Sequence, residues 1–142
     1  MKIRLLMLGK TRSQEIRALL DDYLKRINRS CPIEETEIRD AQAALRKLDA
    51  DRAATVVLLD AAGKAFDSSA FAKWLSELRD RGTRELIFLC GDAGGFPDSL
   101  RQRAHQKISL SSMTYSHELA RVMLAEQLYR AFAILSGSPY PK

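Results

Sequence analysis

ISLSSMTYSHELARVMLAEQLYRAFAILSGSPYPK, residues 108–142, holds the pattern that decides the fold. It predicts a strand over Lys107 to Leu110, a loop over Ser111 to Ser116 and a helix over His117 to Ser136. Gly137 and Pro139 follow the predicted helix, as residues that end helices commonly do. A strand, a polar loop and a long helix in this order form a unit of an α/β fold.

The predicted helix is unusual because apolar side chains occupy most of its circumference. At 100° per residue, one apolar arc contains Leu124, Ala125, Leu128, Phe132 and Leu135. A second arc contains Leu119, Val122, Met123, Tyr129, Ala133 and Ile134. A helix that packs on one sheet needs only one apolar stripe, so the pattern favours burial against a second copy of the chain. We therefore expect a homodimer through this helix, with Leu128 and Phe132 at the interface.

Upstream of this unit, short apolar runs alternate with helical patterns. Strands are predicted at Lys2 to Leu8, Ile33 to Arg39, Thr55 to Asp60, Glu85 to Cys90 and Lys107 to Leu110. Helices are predicted at Ser13 to Asn28, Ala41 to Ala50, Ser68 to Arg81 and, briefly, after Pro97. We expect a single domain over residues 1–142, an α/β fold with a mostly parallel sheet of about five strands flanked by helices.

Composition narrows the class of protein. The 142 residues carry a formal charge of +5, which favours a polyanionic partner. Six basic residues near the start of the sequence form what is called here the early basic group: Lys10, Arg12, Arg17, Lys25, Arg26 and Arg29. An RNA-facing patch and an ordinary solvated helix surface explain this group equally well. Cys31 and Cys90 lack metal-ligand spacing, so we expect reduced thiols, no metal and a cytoplasmic protein. Met1 to Leu8 is too short for a membrane span.

Three predicted strands end in loops suited to a ligand. These loops are Asp60 to Lys64, Gly91 to Phe96 and Ser111 to Tyr115. Ligands of open α/β sheets bind beyond the carboxyl ends of the strands, where small residues let them approach the backbone. The sequence contains neither a Walker loop nor the dinucleotide-binding fingerprint, which disfavours an enzyme that cradles nucleotide phosphates.

A set of motifs along the whole chain resembles one family. It comprises Leu8-Gly9-Lys10, Leu58-Leu59-Asp60 with Gly63-Lys64, the Gly91 loop, Leu110-Ser111-Ser112-Met113-Thr114, His117, Arg121-Val122, Glu126 to Ala131 and Pro139-Tyr140. This combination resembles the RlmH family, which are ribosomal RNA large-subunit methyltransferases of the SPOUT class. The resemblance implies a homodimeric α/β knot fold, with a C-terminal trefoil knot that general topology rules do not predict.

The resemblance also implies an activity and a cofactor site. The family transfers a methyl group from S-adenosylmethionine to N3 of a pseudouridine in large-subunit (23S) ribosomal RNA, on the assembled ribosome. By position, the implied cofactor-binding residues are Leu59, Gly91, Leu110, Ser111, Ser112, Met113, Thr114 and Tyr115. The implied partners are a second copy of the chain and ribosomal RNA, with no membrane and no metal.

Candidate residues for chemistry and RNA binding follow from the expected reaction, which must remove the N3 proton. His117 is a candidate catalytic acceptor because imidazole exchanges protons near neutral pH; capping or packing is its alternative role. Arg121 can stabilise the deprotonated imide, or pair with Glu118 or Glu126. Arg130, Tyr140 and Lys142 are candidate RNA contacts, through phosphate binding or base stacking, and packing is the alternative for Tyr140.

Two segments depart from the family pattern, and two other functions compete. Pro141 stands where the family has histidine, and the glycine loop carries Asp92 in place of a second glycine and Gly94 in place of an acidic residue. A non-catalytic RNA-binding or ribosome-assembly factor on the same fold would explain the basic charge. A receiver-like signalling domain would explain Asp60 at a strand end, but it needs acidic residues where Gly9 and Lys10 stand.

Overall fold

The structure, a computed structural model, describes residues 1–140; Pro141 and Lys142 lie outside the described residues. Residues 1–140 form five strands and five helices in alternation. They are β1 (Lys2–Leu8), α1 (Gln14–Ile27), β2 (Ile33–Ile38), α2 (Ala41–Ala50), β3 (Thr55–Ala65), α3 (Ser68–Asp80), β4 (Glu85–Cys90), α4 (Asp98–Arg103), β5 (Gln106–Ser109) and α5 (His117–Ser136). The predicted α/β class is confirmed.

The five strands form one parallel sheet in the order β2-β1-β4-β3-β5. One apolar cluster joins the sheet to α1, α3 and α5, and a second joins its other face to α2 and α4. A receiver-like domain has the order 2-1-3-4-5, so the observed order contradicts that alternative. The C-terminal trefoil knot depends on how the chain threads, and it stays a prediction. Among residues 1–140, no helix is long and apolar enough to cross a membrane.

Strand β3 extends five residues beyond its predicted end at Asp60. A register shift separates the pair Leu59 and Ile108 from the pair Lys64 and Ile108, so the second half of β3 also pairs with β5. Gly63 lies at this irregularity. A Cβ atom there would lie 2.6 Å from the carbonyl carbon of Lys107 and 2.7 Å from the nitrogen of Ile108. Gly63, predicted to lie in a loop after β3, therefore lies within the strand and lets two backbones approach closely.

Replacing Gly63 by alanine should destabilise the protein, because the clashing atoms are backbone atoms that cannot swing away. We expect a loss of about 1–3 kcal/mol in the free energy of unfolding, measured by urea denaturation. Gly94→Ala is the matched control, since its Cβ would lie 3.4 Å from Asp92 Oδ1 in ordinary contact. Equal stabilities of the two variants would contradict this account of β3 and β5.

Helix α5 packs against its own chain over more of its surface than the sequence predicts. Helices α1 and α3 both contact it, and Leu128 and Phe132 belong to the apolar core. The prediction that these two residues form a dimer interface is therefore wrong, because α1 and α3 supply the second body that the helix needs. Leu119, Ile134 and Leu135 remain exposed on α5. The homodimer itself stays a prediction, on this smaller apolar surface.

Candidate functional site

A cavity of about 540 Å³ lies at the carboxyl edge of the sheet. Its walls are the middle of β3, the end of β4, the connection between β4 and α4, the connection between β5 and α5, and the first turn of α5. Seven of the eight predicted cofactor residues line it: Leu59, Gly91, Leu110, Ser111, Met113, Thr114 and Tyr115. Ser112 does not. The predicted loops after β4 and β5 thus meet at one cavity of the size that small-molecule ligands occupy. The predicted loop Asp60 to Lys64 is instead part of β3, and only its Asp60 and Ala61 line the cavity.

The connection between β5 and α5 is held by its own hydroxyl groups. Ser109 Oγ donates to the carbonyl oxygen of Ser111 at 2.9 Å, and the Met113 N–H donates to Ser111 Oγ at 3.0 Å. Within residues 1–140, the backbone N–H groups of Thr114 and Tyr115 make no hydrogen bond. Backbone donors on a cavity wall that lack a partner are available to a ligand.

The glycine loop after β4 is closed by the residue that departs from the family pattern. Asp92 Oδ1 accepts the N–H of Gly94 at 2.9 Å, and the Asp92 carbonyl accepts the N–H of Gly95 at 3.1 Å. Gly95 has a φ of 77°, which favours glycine. A Cβ on Gly91 would lie 3.2 Å from the ring of Phe96, so this glycine lets the ring close the wall. The altered loop keeps a defined turn.

An ion pair that sequence reasoning missed joins two walls of the cavity. Asp60, where the sequence predicted the end of β3, forms an ion pair with Arg101 on α4. Arg101 Nε also donates to the carbonyl of Phe96 at 3.4 Å. The Ala62 N–H, 3.0 Å from Asp60 Oδ1, and the Arg101 guanidinium hold the pKa of Asp60 below its usual range. Asp60 at a strand end was a visible signal, but its partner lies 41 residues away in sequence.

This pKa predicts how stability depends on pH. Between the lowered pKa of Asp60 in the folded protein and its pKa of about 3.9 in the unfolded chain, the unfolded chain binds more protons. The stability that Asp60 contributes is therefore fully present above this pH window and is lost as the pH falls through it. Asp60→Asn should lower Tm at pH 7 and have a smaller effect near pH 3, measured by thermal unfolding. Arg101→Gln should reduce this pH dependence without abolishing it, since the Ala62 N–H remains. A deficit of Asp60→Asn that is the same at both pH values would contradict this role.

Known proteins match the chain over its whole length. The family profile described as "Predicted SPOUT methyltransferase" matches residues 1–141. The ribosomal RNA large subunit methyltransferase H of Geotalea daltonii is 42% identical, over 99% of both chains, and that of Geobacter sulfurreducens is 40% identical, also over 99% of both. The chain belongs to the ribosomal RNA large subunit methyltransferase H family. The resemblance drawn from its motifs is confirmed.

Solved structures share the SPOUT fold at low sequence identity. A probable methylase family protein from Haemophilus influenzae has a TM-score of 0.61 and 10% identity, covering 99% of this chain and 70% of the other. The SpoU methyltransferase AviRb from Streptomyces viridochromogenes, in complex with AdoMet, has a TM-score of 0.53 and 11% identity, covering 96% and 61%. These structures support the fold alone.

In this SPOUT methyltransferase, His117 and Cys90 are two of the six titratable side chains that line the cavity, together with Asp60, Asp92, Arg101 and Tyr115. His117 begins α5, is half-buried, and its ring makes no hydrogen bond within residues 1–140. Cys90 ends β4 and is buried, and burial raises the pKa of its thiol to about 12. A thiol that stays protonated is a poor nucleophile, so the free imidazole is the better candidate for proton transfer. No cluster of three or more His, Cys, Asp or Glu residues suited to a metal occurs in residues 1–140.

Arg121 does not line the cavity. It is 0% exposed, and it donates to the carbonyl of Leu8 at 2.6 Å and to Thr11 Oγ1 at 2.8 Å. Within residues 1–140 it has no carboxylate partner, and its Nε has no hydrogen bond. The structure therefore places this predicted catalytic residue between α5 and the connection that follows β1, instead of against Glu118 or Glu126.

The predicted RNA contacts Arg130 and Tyr140 lie together, outside the cavity. Tyr140 donates to Glu126 Oε2 at 2.8 Å, and Arg130 Nη2 pairs with the same carboxylate at 2.6 Å. The Arg130 guanidinium also lies 5.2 Å from the centre of the Tyr140 ring. Burial, then hydrogen bonds with Tyr23 and Glu126, raise the pKa of Tyr140. Lys142, the third predicted contact, lies outside the described residues.

Proposed function

We propose that this protein transfers a methyl group from S-adenosylmethionine to N3 of a pseudouridine in large-subunit (23S) ribosomal RNA, on the assembled ribosome. The observation that carries the proposal is the cavity, where β3 and the connections after β4 and β5 bring seven predicted cofactor residues together. The names of the relatives support a ribosomal RNA substrate, and AdoMet-bound structures of the same fold support the methyl donor.

The residues around the cavity fit this cofactor. Leu59, Leu110 and Phe96 offer apolar surface, and the free N–H groups of Thr114 and Tyr115 offer hydrogen bonds that can fix orientation. Ser111 and Met113 complete the wall, with Gly91 beneath. S-adenosylmethionine supplies an electrophilic methyl group when bound. The chain's own task is to hold the methyl donor and the RNA base in line. Such orientation lowers the activation barrier of a reaction by on the order of 7–11 kcal/mol at best.

His117 is the proposed proton acceptor. Methylation at N3 requires the loss of the N3 proton, and His117 is the half-buried imidazole on the cavity wall with no competing hydrogen bond in residues 1–140. Arg121 has a supporting role, since it fixes the first turn of α5, which carries His117, to the end of β1. We assign it to positioning and not to contact with the substrate.

We propose that RNA also reaches the C-terminal region, through Arg130, Tyr140 and Lys142. Arg130 and Tyr140 are ordered around Glu126, so the tail is held close to α5. A homodimer through the exposed apolar side chains of α5 would complete the binding surface. In this proposal, residues 1–142 form a single domain, and the protein acts as a dimer on ribosomes in the cytoplasm.

Methyl transfer to ribosomes that lack the modification tests this function. With tritiated S-adenosylmethionine, we expect incorporation into large-subunit RNA, and nucleoside mass spectrometry should identify 3-methylpseudouridine. A methyl group on another nucleoside would overturn the target while retaining the enzyme class. Absence of incorporation into intact ribosomes and into free RNA would overturn the proposed activity.

The second candidate is a non-catalytic ribosome-assembly factor on the same fold, favoured by Pro141 in place of the family's histidine. Calorimetry separates the two. The methyltransferase should bind S-adenosylmethionine and gain thermal stability from it, because a ligand that binds only the folded state raises Tm. An assembly factor should bind ribosomes while showing neither effect.

A further inference from the structure

The connection between β1 and α1, residues 9–13, is fixed to the same helix turn that lines the cavity. Arg121 bonds to Leu8 and Thr11, and Glu118 Oε1 accepts the N–H of Ser13 at 3.0 Å. On the opposite side, Glu37 Oε2 accepts the N–H of Thr11 at 2.6 Å. The backbone of this connection, called here the β1–α1 loop, is therefore held from two directions.

The β1–α1 loop lies beside the cavity. Glu118 and Arg121, which hold it, alternate along α5 with His117 and Ala120, which line the cavity. Strand β1 also pairs directly with β4, where Met7 is opposite Cys90 on the cavity wall. One rigid support thus positions both the loop and the proposed reaction centre.

Two cations of this loop are free of the pairing seen elsewhere. Lys10 and Arg12 are exposed and form no ion pair with any residue of the described 1–140 range. In the same early basic group, Arg17 pairs with Glu35 at 2.6 Å and Arg26 pairs with Asp22 at 3.0 Å, whereas Lys25 and Arg29 are exposed and, within residues 1–140, form no ion pair either. What distinguishes Lys10 and Arg12 from Lys25 and Arg29 is their position on the fixed β1–α1 loop, next to the turn of α5 that lines the cavity.

The buried Arg121 adds a second, independent observation. Its guanidinium is fully buried, lacks a carboxylate partner in residues 1–140 and has an Nε with no hydrogen bond. A buried cation without a counter-charge is costly, and its field is weakly screened. The nearest carboxylate on α5 is that of Glu118, which forms no ion pair with Arg121 within residues 1–140 but whose pKa the Arg121 charge helps to lower, and Glu37 is shared with Arg17. Residues 9–13 themselves contain two cations, Lys10 and Arg12, and no carboxylate, so the exposed part of the loop suits an anion.

We propose that Lys10 and Arg12 bind two backbone phosphates of the RNA whose target nucleotide enters the cavity. The inference rests on the proposed function for the identity of the polyanion. A fixed loop backbone with exposed cations suits phosphates, which position a nucleic acid without reading its sequence. Arg121 and Glu118 act as positioning residues, since they hold the loop and do not contact the RNA.

Salt-dependent binding to unmodified ribosomes tests the proposal. The dissociation constant of the full chain is measured by sedimentation at KCl concentrations from about 50 to 200 mM. Lys10→Ala/Arg12→Ala should weaken binding more than tenfold at low salt and reduce the slope of log K against log salt by about 2, near 1 for each lost phosphate contact. Lys10→Arg/Arg12→Lys should retain both, because it keeps the charges.

Lys47→Ala is the matched control, since Lys47 is exposed and lies in the last turn of α2, at the opposite edge of the sheet. It should leave affinity and slope unchanged. S-adenosylmethionine affinity, measured by calorimetry, should be equal in all variants, because neither Lys10 nor Arg12 lines the cavity. A double variant whose slope equals that of Lys47→Ala overturns the phosphate site even if wild-type protein methylates ribosomes. A reduced slope together with no methyl transfer by wild-type protein overturns the proposed function and leaves the phosphate site supported.

Discussion

His117→Asn should lower kcat for methyl transfer by about 10²–10⁴-fold, the range that a positioned general base contributes. Asparagine retains a polar side chain of similar reach but cannot accept the N3 proton. Because His117 lines the cavity but is not one of the predicted cofactor-binding residues, we expect S-adenosylmethionine affinity to change little. Single-turnover kinetics on unmodified ribosomes, with calorimetry of cofactor binding, measures the two quantities separately.

His105→Asn is the matched control, as His105 is the second of the two histidines in the sequence. Its Nδ1 accepts the N–H of Val56 at 2.9 Å, at the start of β3 and far from the strand ends that form the cavity. This variant should lose some stability and keep its kcat. If His117→Asn keeps wild-type kcat across the pH range, the proton passes to water or to another group, and the assignment of His117 is wrong.

The sequence was most informative where a pattern repeats along one element. The bounds of β1, β4, α2 and α5 match their predictions, because apolar runs and helical periodicity report the burial of side chains directly. The loops after β4 and β5 also came together as expected, since parallel strands place their carboxyl ends at one edge of a sheet. Local pattern and a general rule of topology were sufficient for this part of the site.

Interactions between distant segments were not predictable in the same way. Gly63 was predicted to lie in a loop, and only the approach of β5 shows why β3 continues past it. The pairing of Asp60 with Arg101 and the bonds of Arg121 to Leu8 and Thr11 depend on the packing of separate elements. A sequence pattern records that a helix is apolar all round, but it does not record which neighbours cover each side.

Helix α5 shows the consequence of that distinction. Leu128→Glu should unfold the protein. The side chain is 0% exposed in the core shared with α1 and α3, so the change removes a well-packed leucine, costing about 2–5 kcal/mol, and buries a carboxylate without a partner. The combined cost is comparable to the whole stability of a domain, about 5–15 kcal/mol. Circular dichroism should show loss of the cooperative thermal transition.

Leu119→Glu distinguishes this core from the proposed dimer interface, because Leu119 is 49% exposed on the same helix. A surface substitution of this kind changes the free energy of unfolding by less than about 0.5 kcal/mol, so the monomer should remain folded. If a second copy covers this side of α5, sedimentation should show wild-type dimers and Leu119→Glu monomers. If the Leu128→Glu variant is folded and monomeric, Leu128 belongs to the dimer interface and not to the core. If the Leu119→Glu variant is still a dimer, the interface lies elsewhere on the molecule.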